Sequence, residues 1–412
     1  MKFGIRTCLF IFLGVFSTSD AVYGDQRIGP LMSGGDWAAL LDIYLPRAGR
    51  GNAEAQDQIG SFYYRGVGVR KNRLRAEYWL REAAQRGATD APGYLATWYG
   101  KEGGPKFDLM KAIKWSLVSI ELSERKMKAL AESNENFVNI FKSLAKQSDL
   151  ESLSHANKSV LDSYRVMDNL SRQRLVELRS KASDDIENKA EEEAAKILAE
   201  LGNPRVSGKI IKRVKSGAQN GNEDDQFSFA IHQIYAEKND HLGMIWLERA
   251  AAQDHGLAQF LLGLKIFKNS GNTRSQVALN WLEKSAKNGV VRGMFTLGAM
   301  YADISGNRDY SKARFWLKKA ADLGHGAANH TLGLMSLIGL GVKKNAQSAV
   351  GFFYKGSRQR NHDSMFELAK LYLSGTGTEK DKKQAKKIFK FLSSRGHKPA
   401  IAWRIKHAKE FE

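Results

Sequence analysis

Small and large apolar residues recur along the chain with a fixed spacing. Seven times, an alanine or glycine is followed three residues later by a tryptophan or another large apolar residue, and within each unbroken run successive pairs lie 35 or 36 residues apart. The pairs are Ala76/Trp79, Ala112/Trp115, Gly243/Trp246, Ala278/Trp281, Ala313/Trp316, Ala349/Phe352 and Ala385/Ile388. A period of this length predicts a helical solenoid, in which each repeat buries an apolar face against its neighbours.

Each repeat is predicted to form two short helices, and the small residue marks the second one. Apolar residues at positions 0, 3, 7 and 8 counted from it lie on one helical face. In six repeats an Asn or Asp stands four residues before it, where the side chain can accept hydrogen bonds from free N–H groups at the helix start. These caps are Asn72, Asp108, Asn239, Asp309, Asn345 and Asp381, whereas the repeat of Ala278 has Arg274 at this position.

Glycines stand where helices are expected to end. Eleven residues after the small residue, a left-handed backbone conformation favours glycine. This position is occupied by Gly87, Gly289, Gly324 and Gly396. The loop between the two helices reads Gly-x-Gly at residues 66–68, 339–341 and 375–377. Because these glycines follow a helix rather than a strand, we interpret them as turn residues and not as a phosphate-binding loop.

The combined pattern resembles a known repeat family. Leu-Gly in the first helix, as at Leu262-Gly263, is followed by the Gly-x-Gly-Val loop and then by Asn or Asp, Ala, Trp, Ala-Ala and Gly in the second helix. This order closely resembles Sel1-like repeats, relatives of the tetratricopeptide repeat, over roughly residues 36–120 and 222–400, with Asp36 as the cap of a lone second helix. The resemblance implies an all-α superhelical solenoid of helix pairs and a scaffold or adaptor role toward protein partners.

The resemblance also bears on catalysis. One branch of the family is linked to β-lactam hydrolysis, but its repeats carry paired cysteines, and the only cysteine of this chain is Cys8. No compact catalytic motif such as H-E-x-x-H or G-x-S-x-G occurs in the sequence. We therefore predict a non-enzymatic scaffold without catalytic, cofactor or metal sites, and a cell-wall or β-lactam hydrolase is the least favoured alternative.

The repeats are interrupted once. Residues 121–216 lack tryptophan, and their apolar residues fall at steps of three and four, which predicts amphipathic helices. We expect a long hairpin that turns near Asn169 and Ser171, with Ser171 as a helix cap. The predicted organisation is a signal sequence at 1–24, repeats at 25–120, the insertion at 121–216 and further repeats at 217–412. The insertion is either a spacer, which we favour, or an arm for partner contact.

The N-terminus has the features of a secretory signal. Lys2 and Arg6 precede or flank a nine-residue apolar stretch, residues 8–16, which is too short to span a bilayer as a helix. Val22 and Gly24 occupy the −3 and −1 positions of a cleavage site after Gly24. We therefore expect a periplasmic or secreted protein that has no cysteine after cleavage and no second membrane segment.

The charge distribution suggests a second class of partner. The chain carries a net charge of +20, and eleven Lys or Arg lie between Lys380 and Lys409 against the single acidic residue Asp381. Lys382, Lys383, Lys386 and Lys387 are the candidate binding residues in this segment. An anionic glycan, a cell-wall polymer or lipid headgroups could bind here, whereas nucleic acid suits an exported protein less well. The competing interpretation is a terminal repeat that is polar because it faces solvent.

Further candidate residues lie at the ends of helices. Arg65, Trp98 and Phe107 fall at or near the ends of first helices and are candidate anchors for a protein partner, although aromatic residues there also suit a core. Four histidines, His255, His325, His362 and His397, occupy the junctions between repeats. We expect them at helix C-termini, where a positive charge is favourable, and too far apart to share a zinc ion.

Overall fold

The computed structural model describes residues 31–32, 34–102, 104, 106–141, 147–201, 204–270, 275–303 and 308–407, which form α-helices and loops and no strand. The predicted signal sequence, Arg274 and Lys409 lie outside these residues. The helices are α1 (Trp37–Gly49), α2 (Ala53–Arg65), α3 (Arg73–Gln85), α4 (Ala91–Tyr99), α5 (Leu109–Phe141), α6 (Gln147–Arg179), α7 (Asp184–Glu200), α8 (Pro204–Gln219), α9 (Glu223–Tyr235), α10 (Asp240–Ala252), α11 (Gly256–Asn269), α12 (Gln276–Lys287), α13 (Val291–Asp303), α14 (Tyr310–Asp322), α15 (Gly326–Ile338), α16 (Ala346–Arg358), α17 (His362–Ser374), α18 (Lys382–Ser394) and α19 (Lys398–Lys406).

The predicted all-α class is confirmed for the described residues. They fall into two compact units: unit 1 holds Tyr44–Arg65 and Asn72–Gly243, and unit 2 holds the described part of Gln26–Ile43 together with Gly66–Lys71 and Met244–Glu412. In unit 1, α2 packs on α3, and in unit 2 the pairs α11/α12, α13/α14, α15/α16 and α17/α18 pack in series. Among the described helices, none combines the length and apolarity that a membrane span requires.

The predicted helix caps are confirmed. Asn72 accepts hydrogen bonds from the N–H groups of Leu74 and Arg75, and Asp309 accepts one from Lys312 at 2.9 Å. Asp108, Asn239, Asn345 and Asp381 cap their helices in the same way. The repeat of Ala278 does not lack a cap, as its Arg274 had suggested, because Ser275 accepts from the N–H of Ala278 instead. The cap of this repeat therefore lies three residues before the small residue, and not four as in the other repeats.

The predicted helix-ending glycines adopt the left-handed conformation. Gly87, Gly289, Gly324 and Gly396 have φ between 75° and 91°. Asp254 and Arg360 occupy the same place in their repeats with φ of 61° and 59°. A left-handed residue therefore ends the second helix even where the repeat lacks glycine there, and these two side chains bear the steric cost of that conformation.

Within most repeats, the large side chain that packs between the two helices lies one position after the predicted tryptophan or its equivalent. The residue four positions after the small residue is fully buried in six repeats. Leu80, Leu247, Leu282, Leu317, Phe353 and Phe389 are each 0% exposed. Tryptophans at the predicted position range from buried Trp79 to half-buried Trp281. In the last two repeats, the predicted Phe352 and Ile388 are only half-buried.

The glycines of the Leu-Gly motif explain this preference. A Cβ atom on Gly263 would lie 2.8 Å from Leu282 Cγ, and one on Gly333 would lie 2.5 Å from Phe353 Cε1. The first helix thus approaches the second so closely that a methyl group does not fit between them. The contact is made by the fourth residue rather than by the tryptophan, because the fourth residue points toward the first helix of its own repeat.

The predicted hairpin exists, but its turn lies elsewhere. Helix α5 extends the second helix of a repeat to 33 residues, and α6 continues without a break through Asn169 and Ser171. Ser171 is buried inside α6, with its Oγ 3.2 Å from Ser119 Oγ of α5. The expected turn at 169–171 is therefore wrong: the serine hydroxyl that suggested a cap is satisfied across the helix pair. Helix α5 packs against both α6 and α7.

Unit 1 is completed by helices that follow the insertion. The chain leaves α7 at Leu201 and re-enters a helix at Pro204. The ring of Trp79 in α3 lies 6.2 Å from that of Phe227 in α9 at an interplanar angle of 80°. The buried carboxylate of Glu82 pairs with Arg86 at 2.8 Å and with Arg213 of α8. Helix α3 is thus bound to residues more than one hundred positions later.

Asp36 confirms its predicted role and adds a second one. Its Oδ1 accepts the N–H of Ala39 at 3.2 Å in α1, and its Oδ2 accepts the N–H of Gly326 at 2.9 Å at the start of α15. One carboxylate therefore caps two helices of unit 2. Asp42 of α1 also forms an ion pair with Arg292 of α13 at 2.6 Å.

Candidate binding site

Three half-buried aromatic side chains in unit 1 form a surface that we name the aromatic strip: Tyr64 of α2 and Tyr94 and Trp98 of α4. The ring of Tyr64 lies 5.8 Å from that of Tyr94 and 6.0 Å from that of Trp98, with interplanar angles of 51° and 50°. Tyr94 and Trp98 are four residues apart and therefore share a helical face. The strip brings predicted Trp98 together with two tyrosines that sequence reasoning did not select.

Two carboxyl groups lie toward the start of the same two helices: Asp57 is buried in α2, and Asp90 is half-buried at the residue before α4. Asp57 precedes Tyr64 by seven residues and Asp90 precedes Tyr94 by four, so each acid shares the face of its helix with the strip. Asp57 is 3% exposed, and its Oδ1 has no hydrogen-bond partner among the described residues. Burial and the neighbouring Asp90 and Glu54 raise the pKa of Asp57 well above its ordinary value. Burial and Glu54 raise the pKa of Asp90 to about 6.

Two further predicted anchors occupy different places. Arg65 is exposed at the end of α2, and its charge partly offsets the effect of burial and of Asp57 on the raised pKa of Tyr94. Phe107 is 42% exposed in the loop between α4 and α5, outside the aromatic strip. In that loop Lys106 pairs with Glu77 at 2.9 Å. The structure therefore places Arg65 near Tyr94 of the aromatic strip and Phe107 in a separate loop.

The junction histidines begin helices rather than end them, which corrects the prediction. Nδ1 of His255 accepts the N–H of Ala258 at 3.1 Å, and Nδ1 of His397 accepts that of Ala400 at 3.3 Å. An imidazole can cap in this way only while Nδ1 is unprotonated. His325 occupies the same cap position, and burial followed by the charge of Arg292 lowers its pKa to about 3.

A signal in the sequence could have revealed these caps. The equivalent junction position is held by Asn52, Asn222 and Asn361, each of which caps the next helix. His362 follows the cap Asn361 and is the first residue of α17. Histidine thus alternates with asparagine, a typical N-cap residue, at one position of the repeat. Among the described residues, no group of three His, Cys, Asp or Glu is arranged to hold a metal ion.

The last repeat presents a surface that we name the basic face: Lys383, Lys386, Lys387, Lys390 and Arg404. These side chains line an open cavity of about 580 Å³ together with Asp381 and Gln384. The Asp381 carboxylate already accepts the N–H of Gln384 as a helix cap. Predicted Lys382 is exposed beside this cavity but does not line it. The structure thus brings three of the four predicted lysines to one cavity.

Comparison with known families assigns the repeats. The model of the Sel1 repeat matches residues 53–87, 93–122, 232–255, 256–290, 292–325, 326–361 and 362–397, which together exceed half of the chain. The chain belongs to the Sel1 repeat family. Several of these matches end at the junction positions of His255, His325, Asn361 and His397, where one repeat gives way to the next.

Solved structures of Sel1 repeat proteins are similar to this chain. A Sel1 repeat protein from Oxalobacter formigenes is 22% identical over 48% of this chain and 79% of its own, with a TM-score of 0.39. The antigen c5321, present in uropathogenic Escherichia coli strains and displaying an SLR fold, is 22% identical over 87% of this chain and 88% of its own, with a TM-score of 0.31. A sel1 repeat protein from Klebsiella pneumoniae subsp. pneumoniae is 20% identical over 49% of this chain and 97% of its own, with a TM-score of 0.32. No curated protein matches the sequence.

Family membership bears on the kind of function. Sel1 repeats serve as scaffolds for protein–protein interaction, and the family is generally non-enzymatic. A protein partner is therefore the class of ligand that the repeats imply.

Proposed function

We propose that this Sel1 repeat protein is an exported, non-enzymatic scaffold that holds a protein partner in a bacterial envelope or secreted complex. The repeats support the scaffold role, and the charged and apolar segments of residues 1–24 support export. Export predicts that the mature chain begins at Asp25. Mass spectrometry of the native protein from a periplasmic or secreted fraction tests this, and an intact Met1 in that fraction would contradict it.

The aromatic strip is the observation that carries the partner-binding role. Tyr64 and Trp98 are half-buried on consecutive first helices, so a partner can cover ring surface that is already held in place. Tryptophan and tyrosine dominate the affinity of protein interfaces, and truncating such an anchor costs about 2 kcal/mol or more, roughly a 30-fold loss of affinity. We therefore expect the partner to contact the strip directly.

The test is affinity capture from the native envelope fraction with the mature protein and its variants. Trp98→Ala and Tyr64→Ala should each lose the partner that the unaltered protein retains. Phe315→Ala is the matched control, because Phe315 is 52% exposed on α14 and lies outside the strip. Circular dichroism verifies folding of each variant. Retention of every captured protein by both strip variants would exclude the strip as the binding surface.

The insertion is tested by shortening it rather than by deleting it. Leu175, Leu178 and Ala190 belong to the buried core of unit 1, so removing residues 121–216 would unfold that unit. Replacing residues 131–160 with a short Gly-Ser loop instead shortens only the far part of α5 and α6. Capture of the same partners by the shortened protein supports a spacer, and loss of a partner identifies an arm for partner contact.

The basic face supports a second candidate function, the binding of an anionic polymer such as a glycan, a cell-wall polymer or a layer of lipid headgroups. Lys383, Lys387 and Lys390 are exposed on one helix and form no ion pair within the described residues. Attraction of this kind weakens steeply as salt concentration rises. We therefore expect the logarithm of the association constant to fall linearly with the logarithm of the salt concentration.

Charge reversal distinguishes this surface from the general positive charge of the chain. Glu replaces the four predicted lysines in the test variant, Lys382→Glu, Lys383→Glu, Lys386→Glu and Lys387→Glu. The control reverses four exposed lysines elsewhere, Lys212, Lys215, Lys343 and Lys344, and so has the same net charge. The test variant should lose binding to polymer-coated beads while the control retains it. Equal loss in both would show that net charge alone is responsible.

A further inference from the structure

We propose that the last repeat of unit 2 docks on an anionic lipid layer, with the basic face against the headgroups and with Ile401 and Ile405 of α19 inserted among the acyl chains. This inference rests on the second candidate function, the binding of an anionic polymer or headgroup layer, and it specifies lipid as the ligand. It requires an exposed apolar surface that is held outward and a set of cations beside it. Helices α18 and α19 supply both.

The apolar surface is a pair of isoleucines one helical turn apart. Ile401 is 38% exposed and Ile405 is 74% exposed. They share a face of α19 with Lys398 and Ala402, which are also exposed. Within the described part of unit 2, no other helix exposes two large apolar side chains one turn apart. A single exposed apolar residue is ordinary, whereas such a pair forms a continuous patch.

The opposite face of α19 holds this pair in place. Ala400 is buried in the apolar core of the last repeat, and the ring of Trp403 stacks on that of Phe389 with centres 5.8 Å apart. The same tryptophan ring meets Phe366 of α17 edge-on at 6.1 Å. Neither isoleucine belongs to this core. The pair therefore points away from the repeat, and its insertion into lipid requires no rearrangement of the fold.

Cations adjoin the isoleucine pair. Arg404 precedes Ile405 on α19 and lines the cavity of the basic face, so the pair lies beside that cavity. Lys383, Lys387 and Lys390 of the basic face are exposed on α18, and neither α18 nor α19 contains an acidic residue. Apolar side chains next to cations are typical of proteins that bind an anionic membrane surface from one side. Lysine stems can also lie along apolar surface while their ammonium groups stay at the level of the headgroups.

Two other ligands fit these helices less well. A soluble anionic glycan could pair with the lysines, but it would leave the isoleucines in water, because an aliphatic side chain offers a sugar neither a hydrogen bond nor an aromatic face. A second copy of the chain could cover the isoleucines, but it would bring two basic faces close together, and like charges repel. A lipid layer offers phosphate groups to the lysines and hydrocarbon to the isoleucines.

The test compares three ligands of the mature protein: vesicles of phosphatidylcholine containing one quarter phosphatidylglycerol, vesicles of phosphatidylcholine alone, and soluble polygalacturonate as an anionic glycan. The chain from Asp25 onward contains no cysteine, so a single introduced cysteine can be labelled with the environment-sensitive dye NBD. The label at Ile405→Cys should become brighter and shift to shorter wavelength with the anionic vesicles. It should keep its aqueous spectrum with polygalacturonate and with phosphatidylcholine alone.

A label at Val277→Cys is the matched control. Val277 is another β-branched residue, is 55% exposed on α12, and has no exposed large apolar residue one turn away among the described residues. This label should keep its aqueous spectrum with every ligand. A label at Ile405→Cys that keeps its aqueous spectrum on vesicle-bound protein would overturn the inference.

Unlabelled variants measure the contribution of each part of the surface by vesicle co-sedimentation. Ile405→Ser should weaken binding to anionic vesicles roughly fivefold or more, because an inserted aliphatic side chain is lost, and it should leave binding to polygalacturonate unchanged. Val277→Ser should change neither. Each lysine reversed to Glu in the four-lysine variant should weaken vesicle binding by roughly fivefold or more.

Two results with Ile405→Ser would contradict the inference. The first is vesicle binding equal to that of the unaltered protein. The second is a dimer, detected by light scattering of the unaltered protein without ligand, that Ile405→Ser converts to a monomer, because a second copy would then cover the isoleucines. Circular dichroism verifies that each variant is folded.

The three ligands also separate this inference from the function on which it rests. If polygalacturonate binds through the four lysines but the anionic vesicles do not bind, the anionic-polymer function is supported and the lipid inference is wrong. If neither binds, both are wrong. If the vesicles bind with the label at Ile405→Cys in a hydrocarbon environment and polygalacturonate does not bind, the inference is supported and the ligand of the basic face is lipid rather than glycan.

Discussion

Two glycines in one repeat should respond in opposite ways to the same substitution. Gly333 lies inside α15 and Gly351 inside α16, and both gain helix propensity of roughly 0.5–1 kcal/mol when replaced by alanine. A Cβ on Gly351 would meet nothing within 4 Å, whereas one on Gly333 would lie 2.5, 2.7 and 2.9 Å from three carbons of the Phe353 ring. Phe353 is 0% exposed, so its ring is enclosed by other residues and cannot turn outward into solvent without opening the repeat.

The difference between the two variants isolates the cost of overpacking. Because the gain in propensity is common to both, Gly333→Ala should be less stable than Gly351→Ala by about 1–3 kcal/mol, the usual penalty for an extra methyl group in a packed interior. Gly351→Ala should be more stable than the unaltered protein.

Urea denaturation followed by circular dichroism measures the effect, with hydrogen exchange of α15–α17 as a local measure. Local exchange is needed because repeats of a solenoid need not unfold together. Both glycines lie in the same repeat, so partial unfolding affects the two variants alike. A midpoint for Gly333→Ala equal to or above that of Gly351→Ala would refute the close approach of α15 to α16.

Three further predictions follow from buried groups. Phe353→Ala should cost about 3–5 kcal/mol by denaturation, and Phe352→Ala clearly less, because only Phe353 is fully enclosed. Burial lowers the pKa of His325 to about 3. The free energy of unfolding should therefore decrease as the pH is lowered from about 6.5 to about 3, by at most about 1.4 kcal/mol per pH unit. His325→Asn should flatten this profile. Glu82→Ala should lower the free energy of unfolding by about 3–5 kcal/mol, because it leaves Arg86 and Arg213 without their buried partner.

Each of these expectations has a contrary result. A greater loss of stability in Phe352→Ala than in Phe353→Ala would show that the third residue after the small one, and not the fourth, packs between the helices. A His325 resonance that titrates near pH 6.5 by NMR would show that its imidazole is not buried in the neutral form. A Glu82→Ala protein with unchanged stability would mean that the contact between α3 and α8 contributes nothing to unit 1.

The local elements of the fold could be predicted because each depends on a few adjacent residues. Asn72 or Asp309 caps its helix through an N–H group two or three residues away, and Gly324 ends a helix through its own backbone. Neither requires a distant contact. The prediction for the junction histidines is wrong for a related reason. A histidine such as His255 also suits a helix end, but the asparagines at the equivalent position of other repeats indicate an N-cap.

The candidate site was predicted only in part. Trp98 stood out because tryptophan is rare and ends a first helix, whereas Tyr64 and Asp57 look ordinary in the sequence. Their significance comes from facing α4, where Tyr64 meets Trp98 and Asp57 is buried without a donor for Oδ1. Nothing along α2 alone indicates which of its faces will be covered.

The sequence by itself determined the period, the helix starts and ends, and the Sel1 repeat family, because these follow from spacing and from backbone preferences of single residues. Only the tertiary structure decided that the fourth residue after the small one fills each repeat, that α6 runs unbroken through Ser171, and that Asp36 caps α15 as well as α1. Each of these depends on a partner far along the chain. Which of several locally possible roles a side chain takes depends on what packs against it. The local sequence pattern does not contain that information.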